Sequence, residues 1–371
     1  MINLGTGKGG IMIYFDQAAT TKPYEEAVRA ASECMMENWA NPSSRYEIAV
    51  QSHNTLEQCR KIIADSINSN PENIVFTSGS TEAINWFARS LQGHPVYITK
   101  MEHAAVRKSV INPKYIPIDR NMLPITKAIP EQRIALMTHV NNEIGSILPI
   151  KGLLDRKTIL ALDATQSYGH IPIDVKQTEI AFIIASAHKL HGIRGAGFIY
   201  ISDKALSVVK DYPLQKGGGQ ELGMRAGTEN LPGIVAMAMA AKQSLYCRNL
   251  KNKSIANIRD YLYEQIRQIP CAHLNGTSNW SKRWCGNLNF RFDGYKGDEL
   301  QTWLSEHEIY VGTGSACSSK ENKPSHVLKG AGLSTKQANS SLRFTFDETN
   351  TLDEAKELVK VLKDGLETLK K

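Results

Sequence analysis

Short apolar runs alternate with segments of helical periodicity between residues 23 and 245, and this alternation restricts the chain to few folds. The helical spacing of apolar positions occurs at residues 23–39, 46–67 and 81–91. Runs bounded by turn residues are typical of buried strands in a parallel sheet. They lie at 74–76, 96–98, 115–118, 134–137, 159–162, 181–184 and 197–201. The pattern predicts an α/β domain with a large, mostly parallel sheet over residues 23–245.

The pattern changes in the last third of the chain. A small-residue helix at 233–245 precedes a polar helix at 249–269, and strand-like runs follow at 287–292 and 341–346. Thr351 and Glu354 have the spacing of a capping box in front of a final amphipathic helix. We predict a smaller α+β domain from residues 246–371 together with 12–22, and a flexible leader over 1–11. A chain of 371 residues is therefore divided into two domains.

Composition excludes several classes of protein. No stretch approaches the roughly 20 apolar residues of a membrane helix, and the start of the chain lacks the apolar core of a secretory signal. Six cysteines, none in a CxxC pair, are too few for a disulfide scaffold and predict reduced thiols in the cytoplasm. The formal net charge of +7 is compatible with an acidic partner surface, and no motif ties it to nucleic acid. No metal site is predicted.

One motif near the start is a decoy. Residues 5–10 (GTGKGG) match GxGxxG, which binds dinucleotides when a strand precedes it and a helix follows. Only four residues precede this copy, and the strand-like residues 12–15 follow it. We therefore predict no dinucleotide site here.

The strongest chemical pattern joins Asp163 to Lys189. Asp163 follows one predicted strand and Lys189 the next, which brings both to the ligand-binding edge of the sheet. A lysine that forms a Schiff base and a carboxylate that keeps a pyridine nitrogen protonated are what pyridoxal 5'-phosphate (PLP) requires. Small residues at the strand-to-helix turn 77–82 (TSGSTE) are suited to a phosphate. The combination predicts a PLP enzyme.

These segments resemble fold-type I PLP enzymes of the class-V aminotransferase family, and specifically the NifS/IscS-like cysteine desulfurases. The resemblance extends from residue 13 to the final helix. The motifs that carry it are 14–21 (YFDQAATT), 41–45 (NPSSR), 77–82, 102–103 (EH), 139–145 (HVNNEIG), 163–166 (DATQ), 186–189 (SAHK), 217–219 (GGG), 224–228 (MRAGT) and 314–317 (GSAC).

The resemblance implies a role for each matching position around the cofactor. Lys189 would carry PLP, Asp163 would pair with the ring nitrogen, and Gln166 would bond the phenolic oxygen. His103 would lie on the ring face and move protons. The cofactor phosphate would be held by Ser80, Thr81, Ser186, His188 and, from the other subunit of a homodimer, Thr228.

The resemblance also implies which residues bind the substrate. Asn142 would contact the cofactor and, with Arg343, hold the substrate carboxylate. Arginine suits this role because its planar fork binds a carboxylate bidentately.

Cys317 differs from the other five cysteines because it lies in a run of small and polar residues, 311–324. We predict a mobile loop that could carry its thiol several ångströms. Lys320, Lys323 or His103 could help to form the reactive thiolate. The long loop resembles the desulfurase group whose cysteine passes sulfur directly to acceptors.

The predicted reaction is removal of sulfur from L-cysteine, which gives L-alanine and a persulfide on Cys317. The alternatives are a selenocysteine lyase, a lyase for another amino acid, or a catalytically silent partner protein. The acceptor is open between an iron–sulfur scaffold, a tRNA-thiolating enzyme and a DNA-modifying system. The chain departs from the family pattern in its short 142–163 segment, which leaves little room for a full crossover helix.

Overall fold

The computed structural model describes residues 12–314 and 324–370. Its strands are β1 (Ile13–Phe15), β2 (Ile74–Thr77), β3 (Val96–Ile98), β4 (Lys114–Tyr115), β5 (Ile134–Thr138), β6 (Ile159–Asp163), β7 (Phe182–Ser186), β8 (Gly197–Ile201), β9 (Ala272–Leu274), β10 (Asn287–Phe292), β11 (Ile309–Val311) and β12 (Ser341–Thr345). Its α-helices are α1 (Glu25–Glu37), α2 (Glu47–Ser66), α3 (Ser80–Ser90), α4 (Ala104–Ser109), α5 (Ile150–Leu154), α6 (Asp203–Val209), α7 (Leu231–Leu245), α8 (Arg248–Ile266), α9 (Gly297–Glu306), α10 (His326–Gly330), α11 (Thr335–Asn339) and α12 (Leu352–Thr368).

A seven-stranded sheet in the order β2-β8-β7-β6-β5-β3-β4 forms the centre of the molecule. Its neighbouring strands run parallel except at β8, which pairs antiparallel with both β2 and β7. The start of β8 therefore lies beside the ends of β2 and β7, where Gly197 is paired with both Thr77 and Ser186. The predicted mostly parallel α/β fold is confirmed.

Alternating side chains of this sheet enter two different cores, as the period of a strand requires. Val75 and Ile184 pack in the core that includes Trp86 and Phe87 of α3. Ile183 packs on the opposite face, in the core shared with α1, α2 and α7. Both faces are thus covered by helices, which explains why the strands are apolar throughout.

A separate core holds the remaining sheets. The strand β10 lies between β9 and β12, antiparallel to both, and β1 pairs in parallel with β11. Residues of β1 and β12 share one core with α8, α9 and α12. The helix α7 packs on the large sheet, whereas α8 packs in the core that the two smaller sheets share. The domain boundary at residue 246 stays a prediction.

Several local predictions can be compared with the structure. The capping box at the start of α12 is present in both directions, and α5 spans only five residues, as the short 142–163 segment predicted. The predicted strand at 115–118 is wrong: β4 ends at Tyr115, because Pro117 cannot donate to a ladder. The strands β9 and β11 and the helix α9 were not predicted. Among the described helices, none combines the length and apolar character needed to cross a membrane.

Candidate active site

A cavity of about 410 Å³ opens at the edge of the large sheet where β2, β6 and β7 end. This is the edge at which open α/β sheets bind ligands. The cavity brings together most of the site residues singled out from the sequence. They are Ser80, Thr81, His103, Asn142, Asp163, Gln166, Ser186, His188, Lys189 and Arg343.

Lys189 lies in a 3₁₀ turn directly after β7. Its ammonium nitrogen donates to the carbonyl oxygens of Ala18 at 2.6 Å and Ala19 at 2.7 Å. Gln166 also donates to the carbonyl of Ala18, at 3.0 Å. The segment after β1 therefore forms part of the cavity wall and orients two of the predicted cofactor residues.

Asp163 is the last residue of β6 and is buried. Its carboxylate accepts the backbone N–H of Thr165 at 3.1 Å and also the Thr165 hydroxyl. The same Thr165 hydroxyl lies 2.7 Å from the hydroxyl of Ser80 at the start of α3. These contacts fix the carboxylate at the cavity and link it to the turn predicted to hold phosphate.

His103 caps the start of α4, where Nδ1 accepts the backbone N–H of Ala105 at 3.1 Å. The proton of the neutral ring is therefore on Nε2. Burial lowers the pKa of His103 below its ordinary value; the Asp163 charge opposes this shift, and the charges of Lys189 and Arg343 add to it. At neutral pH the ring is thus neutral, and its Nε2–H is the group that it can donate to a ligand.

The turn between β2 and α3 is held tightly against the end of the sheet. Gly79 has φ +151°, and a Cβ built there would lie 3.2 Å from Oγ of Ser186. A Cβ on Gly197 would lie 2.6 Å from both the carbonyl oxygen of Ala185 and the Cα of Gly79. Only glycines allow this close approach. The turn at residues 77–82 forms a concave surface at the start of α3, which we call the cup, and its shape depends on these glycines.

Glu82 stabilises the same turn from within α3. Its carboxylate accepts the backbone N–H of Ser78 at 3.1 Å and pairs with Arg225 at 3.0 Å. Burial would raise the pKa of Glu82, but the bonds from Arg225 and Ser78 outweigh it and hold the pKa below its ordinary value. A permanent carboxylate thus ties the turn to the segment that leads to Thr228.

His188 lies beside Lys189 with Nδ1 3.1 Å from the hydroxyl of Thr20. Burial, with the positive charges of Lys189 and Arg194, lowers its pKa to about 4. The side chain is therefore neutral at physiological pH and interacts with a ligand as a hydrogen-bonding group rather than as a cation.

Arg343 and Asn142 form the other end of the cavity. Arg343 is buried on β12; its Nη1 donates to the carbonyl oxygen of Asn142 at 3.0 Å and its Nη2 to Oδ1 of Asp16 at 2.6 Å. Within the described residues, Nε of Arg343 and Oδ1 of Asn142 are buried without a hydrogen-bond partner. Such atoms are rare in proteins and indicate that a ligand completes the site.

Two of the predicted residues are not placed in this cavity. Thr228 is exposed on the surface and does not line it. Cys317, with Lys320 and Lys323, lies outside the described residues, as does the decoy motif at 5–10. The predicted roles of these residues stay predictions.

Sequence reasoning missed several residues that position the site. Asp16 pairs with Arg343, and Glu82 with Arg225 ties down the turn before α3, although each of these residues lies in a quoted motif. Glu102 is buried and accepts hydrogen bonds from Thr99 at 2.7 Å and Thr138 at 2.6 Å. Burial raises its pKa above the ordinary value. Nothing in the sequence shows the pairs Asp16–Arg343, Glu82–Arg225 and Glu102–Thr138, because each joins segments that are distant in the chain.

The cavity fits PLP on the chemistry of its donors. A lysine, a buried carboxylate and a glycine-lined cup at a helix start lie around one space, together with the unpartnered atoms of Arg343 and Asn142. The cofactor needs an amine, a partner for the ring nitrogen and a phosphate site.

Comparisons with known proteins agree with this chemistry. The family model of class-V aminotransferases matches residues 13–358. The chain is 34% identical to the cysteine desulfurase IscS of Methanosarcina thermophila, over 96% of this chain and 93% of that protein. It is 33% identical to the cysteine desulfurase IscS of Dictyoglomus turgidum, over 96% and 95%.

Solved structures show the same fold. A NifS-like protein superposes with a TM-score of 0.87 at 26% identity, covering 97% of this chain and all of that one. SspA in complex with cysteine superposes with a TM-score of 0.76 at 28% identity, covering 90% and 98%.

Proposed function

The chain belongs to the class-V aminotransferase family and is a PLP-dependent cysteine desulfurase, and from that premise we propose how its residues divide the reaction. The observation that carries the proposal is the single cavity that holds Lys189, Asp163, His103 and Arg343 together. The relatives do not favour a selenocysteine lyase.

Lys189 is proposed to hold the cofactor, with Asp163 facing the ring nitrogen and Gln166 the phenolic oxygen. PLP, when bound, withdraws electrons from an amino acid and makes its Cα proton easier to remove. The Lys189 amine is the base proposed to remove that proton. The neutral imidazole of His103, whose pKa burial lowers, is proposed to donate its Nε2 proton to the reacting group and to take it back.

The phosphate is proposed to lie in the cup formed by Ser80, Thr81, Ser186 and His188. The α3 N-terminus supplies backbone N–H groups there, which favour an anion. Because His188 is neutral, the charge on the phosphate is balanced by the helix end and by Arg194, which also lines the cavity.

Arg343 is proposed to bind the substrate carboxylate through its unpartnered Nε, and Asn142 to contact both substrate and cofactor through its unpartnered Oδ1. Cys317, outside the described residues, is proposed to take the substrate sulfur as a persulfide, which leaves L-alanine.

We propose a homodimer in which Thr228 reaches the phosphate of the partner. The support is a concentration of exposed apolar side chains over residues 28–50, among them Met35, Met36 and Trp39, at 54%, 79% and 70% exposure. Exposed apolar surface of this kind is typical of an interface. A cytoplasmic location and a sulfur-acceptor protein, either an iron–sulfur scaffold or a thiolation enzyme, are further parts of the proposal.

The direct test supplies L-cysteine to the PLP-loaded protein and measures alanine and persulfide. We expect equal amounts of both in a single turnover. Cys317→Ser should still change the visible spectrum of the bound cofactor with L-cysteine but form no persulfide, whereas Cys247→Ser, at an exposed cysteine that does not line the cavity, should behave like the parent. Sulfur transfer by Cys317→Ser would exclude the role of Cys317, and a parent that makes no alanine would exclude the function.

A further inference from the structure

We propose that Asp16 determines the substrate specificity of this site by competing with the substrate carboxylate for Arg343. The proposal rests on the function proposed above for Arg343. Asp16 follows β1, and its Oδ1 lies 2.6 Å from Nη2 of Arg343. One branch of the guanidinium is therefore already occupied by a carboxylate of the chain itself.

Arg343 keeps its position through contacts that do not involve Asp16. Its backbone pairs with Asn289 of β10 and with Gly312, with N···O distances of 3.0 and 2.6 Å to Gly312. Its Nη1 donates to the carbonyl oxygen of Asn142 at 3.0 Å. Loss of the Asp16 charge alone therefore leaves the guanidinium in place.

Gly312 allows the ion pair to lie against the backbone. A Cβ at this position would lie 2.8 Å from Oδ1 of Asp16 and 2.9 Å from Nη2 of Arg343. The Asp16 side chain is 19% exposed and that of Arg343 only 2%. The pair is thus packed on one side, and the partnerless Nε of Arg343 is the donor left for a ligand.

The charge balance of the pair sets its selectivity. The Asp16 carboxylate neutralises Arg343, so that an incoming carboxylate meets an arginine already paired and a second negative charge close by. Like charges at such distances oppose each other strongly away from bulk water. A simple carboxylate therefore binds weakly, and an amino acid binds because its amine adds a second anchor at the cofactor that Lys189 would hold.

The test compares ligands with and without a carboxylate on the PLP-loaded parent, Asp16→Asn and Asp353→Asn. Asparagine keeps the shape and the acceptor oxygen of Asp16 and removes its charge. Asp353→Asn removes the same charge at an 89% exposed position on α12. The probes are propionate, as a competitive inhibitor against L-cysteine, and cysteamine, which has the amine and thiol of cysteine but no carboxylate.

We expect Asp16→Asn to lower the inhibition constant of propionate about ten-fold and to lower KM for L-cysteine more than it changes kcat. Cysteamine binding should not change, and Asp353→Asn should match the parent throughout. Propionate should also raise the thermal midpoint of cofactor-free Asp16→Asn more than that of the cofactor-free parent.

Unchanged or weaker propionate binding in Asp16→Asn would overturn the proposal and would indicate that Asp16 only positions Arg343. Asp16→Ser provides a second uncharged variant, and it should tighten propionate binding in the same direction. A parent that binds propionate in this Asp16-dependent way but makes no alanine from L-cysteine would refute the proposed function and leave the competition intact.

Discussion

The ammonium nitrogen of Lys189 lies 2.6 Å from the carbonyl oxygen of Ala18, which places the proposed cofactor lysine against the segment after β1. Two carbonyl oxygens accept from this nitrogen, so that the lysine is pointed into the cavity before any ligand binds. The contact connects Lys189, which follows a strand of the large sheet, to the segment after β1, a strand of the two-stranded sheet.

Lys189→Ala should reduce alanine formation by about 10³-fold or more, because it removes both the anchor of the cofactor and the base proposed for Cα. The measurement is the initial rate of alanine release, together with the tritium that the protein retains after treatment with tritiated borohydride in the presence of PLP and dialysis. The parent should retain labelled cofactor after this treatment and the variant should lose it. Lys204→Ala, at an exposed position on α6, should retain the label; label retained by Lys189→Ala would contradict the assignment.

Gly197→Ala should weaken PLP binding about ten-fold or more, since its methyl group would overlap the carbonyl of Ala185 and the Cα of Gly79 and displace the phosphate cup. Equilibrium titration of the cofactor-free protein with PLP measures the effect. Ser207→Thr also adds one carbon, but at an exposed site on α6, and its affinity should equal that of the parent. Equal affinity in Gly197→Ala would show that the cup tolerates the methyl group.

Glu221→Gln should lower the free energy of unfolding by about 3 kcal/mol, because it leaves the buried charge of Arg60 with only the half-exposed carboxylate of Glu57, 3.1 Å from its Nε, as a counter-ion. Both nitrogens of the Arg60 fork donate to Glu221 at 2.8 Å, and Glu221 also accepts the backbone N–H of Phe76 at 2.6 Å. Urea unfolding of the PLP-free protein provides the measurement.

The control for this buried pair is an exposed one. Arg29 and Glu33 are 73% and 62% exposed, and Glu33→Gln should change the free energy of unfolding by less than about 0.5 kcal/mol. If Glu221→Gln lowers the free energy of unfolding no more than Glu33→Gln does, the pair of Arg60 and Glu221 does not stabilise β2, with which both side chains form hydrogen bonds.

The pair of His191 and Asp347 should make stability depend on pH. Burial would lower the pKa of His191, but the hydrogen bond and charge of Asp347, 3.0 Å away, outweigh it and raise the pKa above its ordinary value. In the same way, although burial favours the neutral acid, the bonds from His191 and Thr349 hold the pKa of Asp347 below its ordinary value.

The directions of the two pKa shifts define the pH range in which the pair of His191 and Asp347 stabilises the protein. A raised histidine pKa contributes stability that is complete below about pH 6.5 and is lost as the pH rises through the folded-state pKa. A lowered aspartate pKa contributes stability that is present above about pH 4 and is lost as the pH falls through the folded-state pKa. Asp347→Asn should therefore lower the urea midpoint more at pH 6 than at pH 8.5. Asp353→Asn should show no such trend, and an equal loss at both pH values for Asp347→Asn would contradict the pairing.

The sequence predicted the large sheet well because its strands are buried on both faces and its glycines and prolines mark the turns. The runs at 96–98 and 197–201 in this sheet, and the run at 287–292 in the three-stranded sheet, were predicted with the bounds that the structure shows. The antiparallel direction of β8 was not predicted, because an apolar run contains no information about strand direction. The strands β9 and β11, at three residues each, are too short to produce a clear period.

The sequence predicted those site residues whose role is indicated by their type and by their place at the end of a strand, as for Asp163 and Lys189. The groups that position the site were missed because their partners are remote in sequence. Asp16 and Arg343 are 327 positions apart, and Glu82 and Arg225 are 143 apart. A side chain that acts by meeting a distant element has no local signature.

The parallel pairing of β1 with β11 has a consequence for how the molecule is made. Residues 13–15 pair with 309–311, and Asp16 bridges to Thr345, so the wall that orients Lys189 is fixed only after more than 300 residues have left the ribosome. Contacts of such long sequence separation form late in folding. We infer that the large sheet is assembled first during translation, and that the nascent chain becomes able to retain its cofactor only after residue 345 has been synthesised.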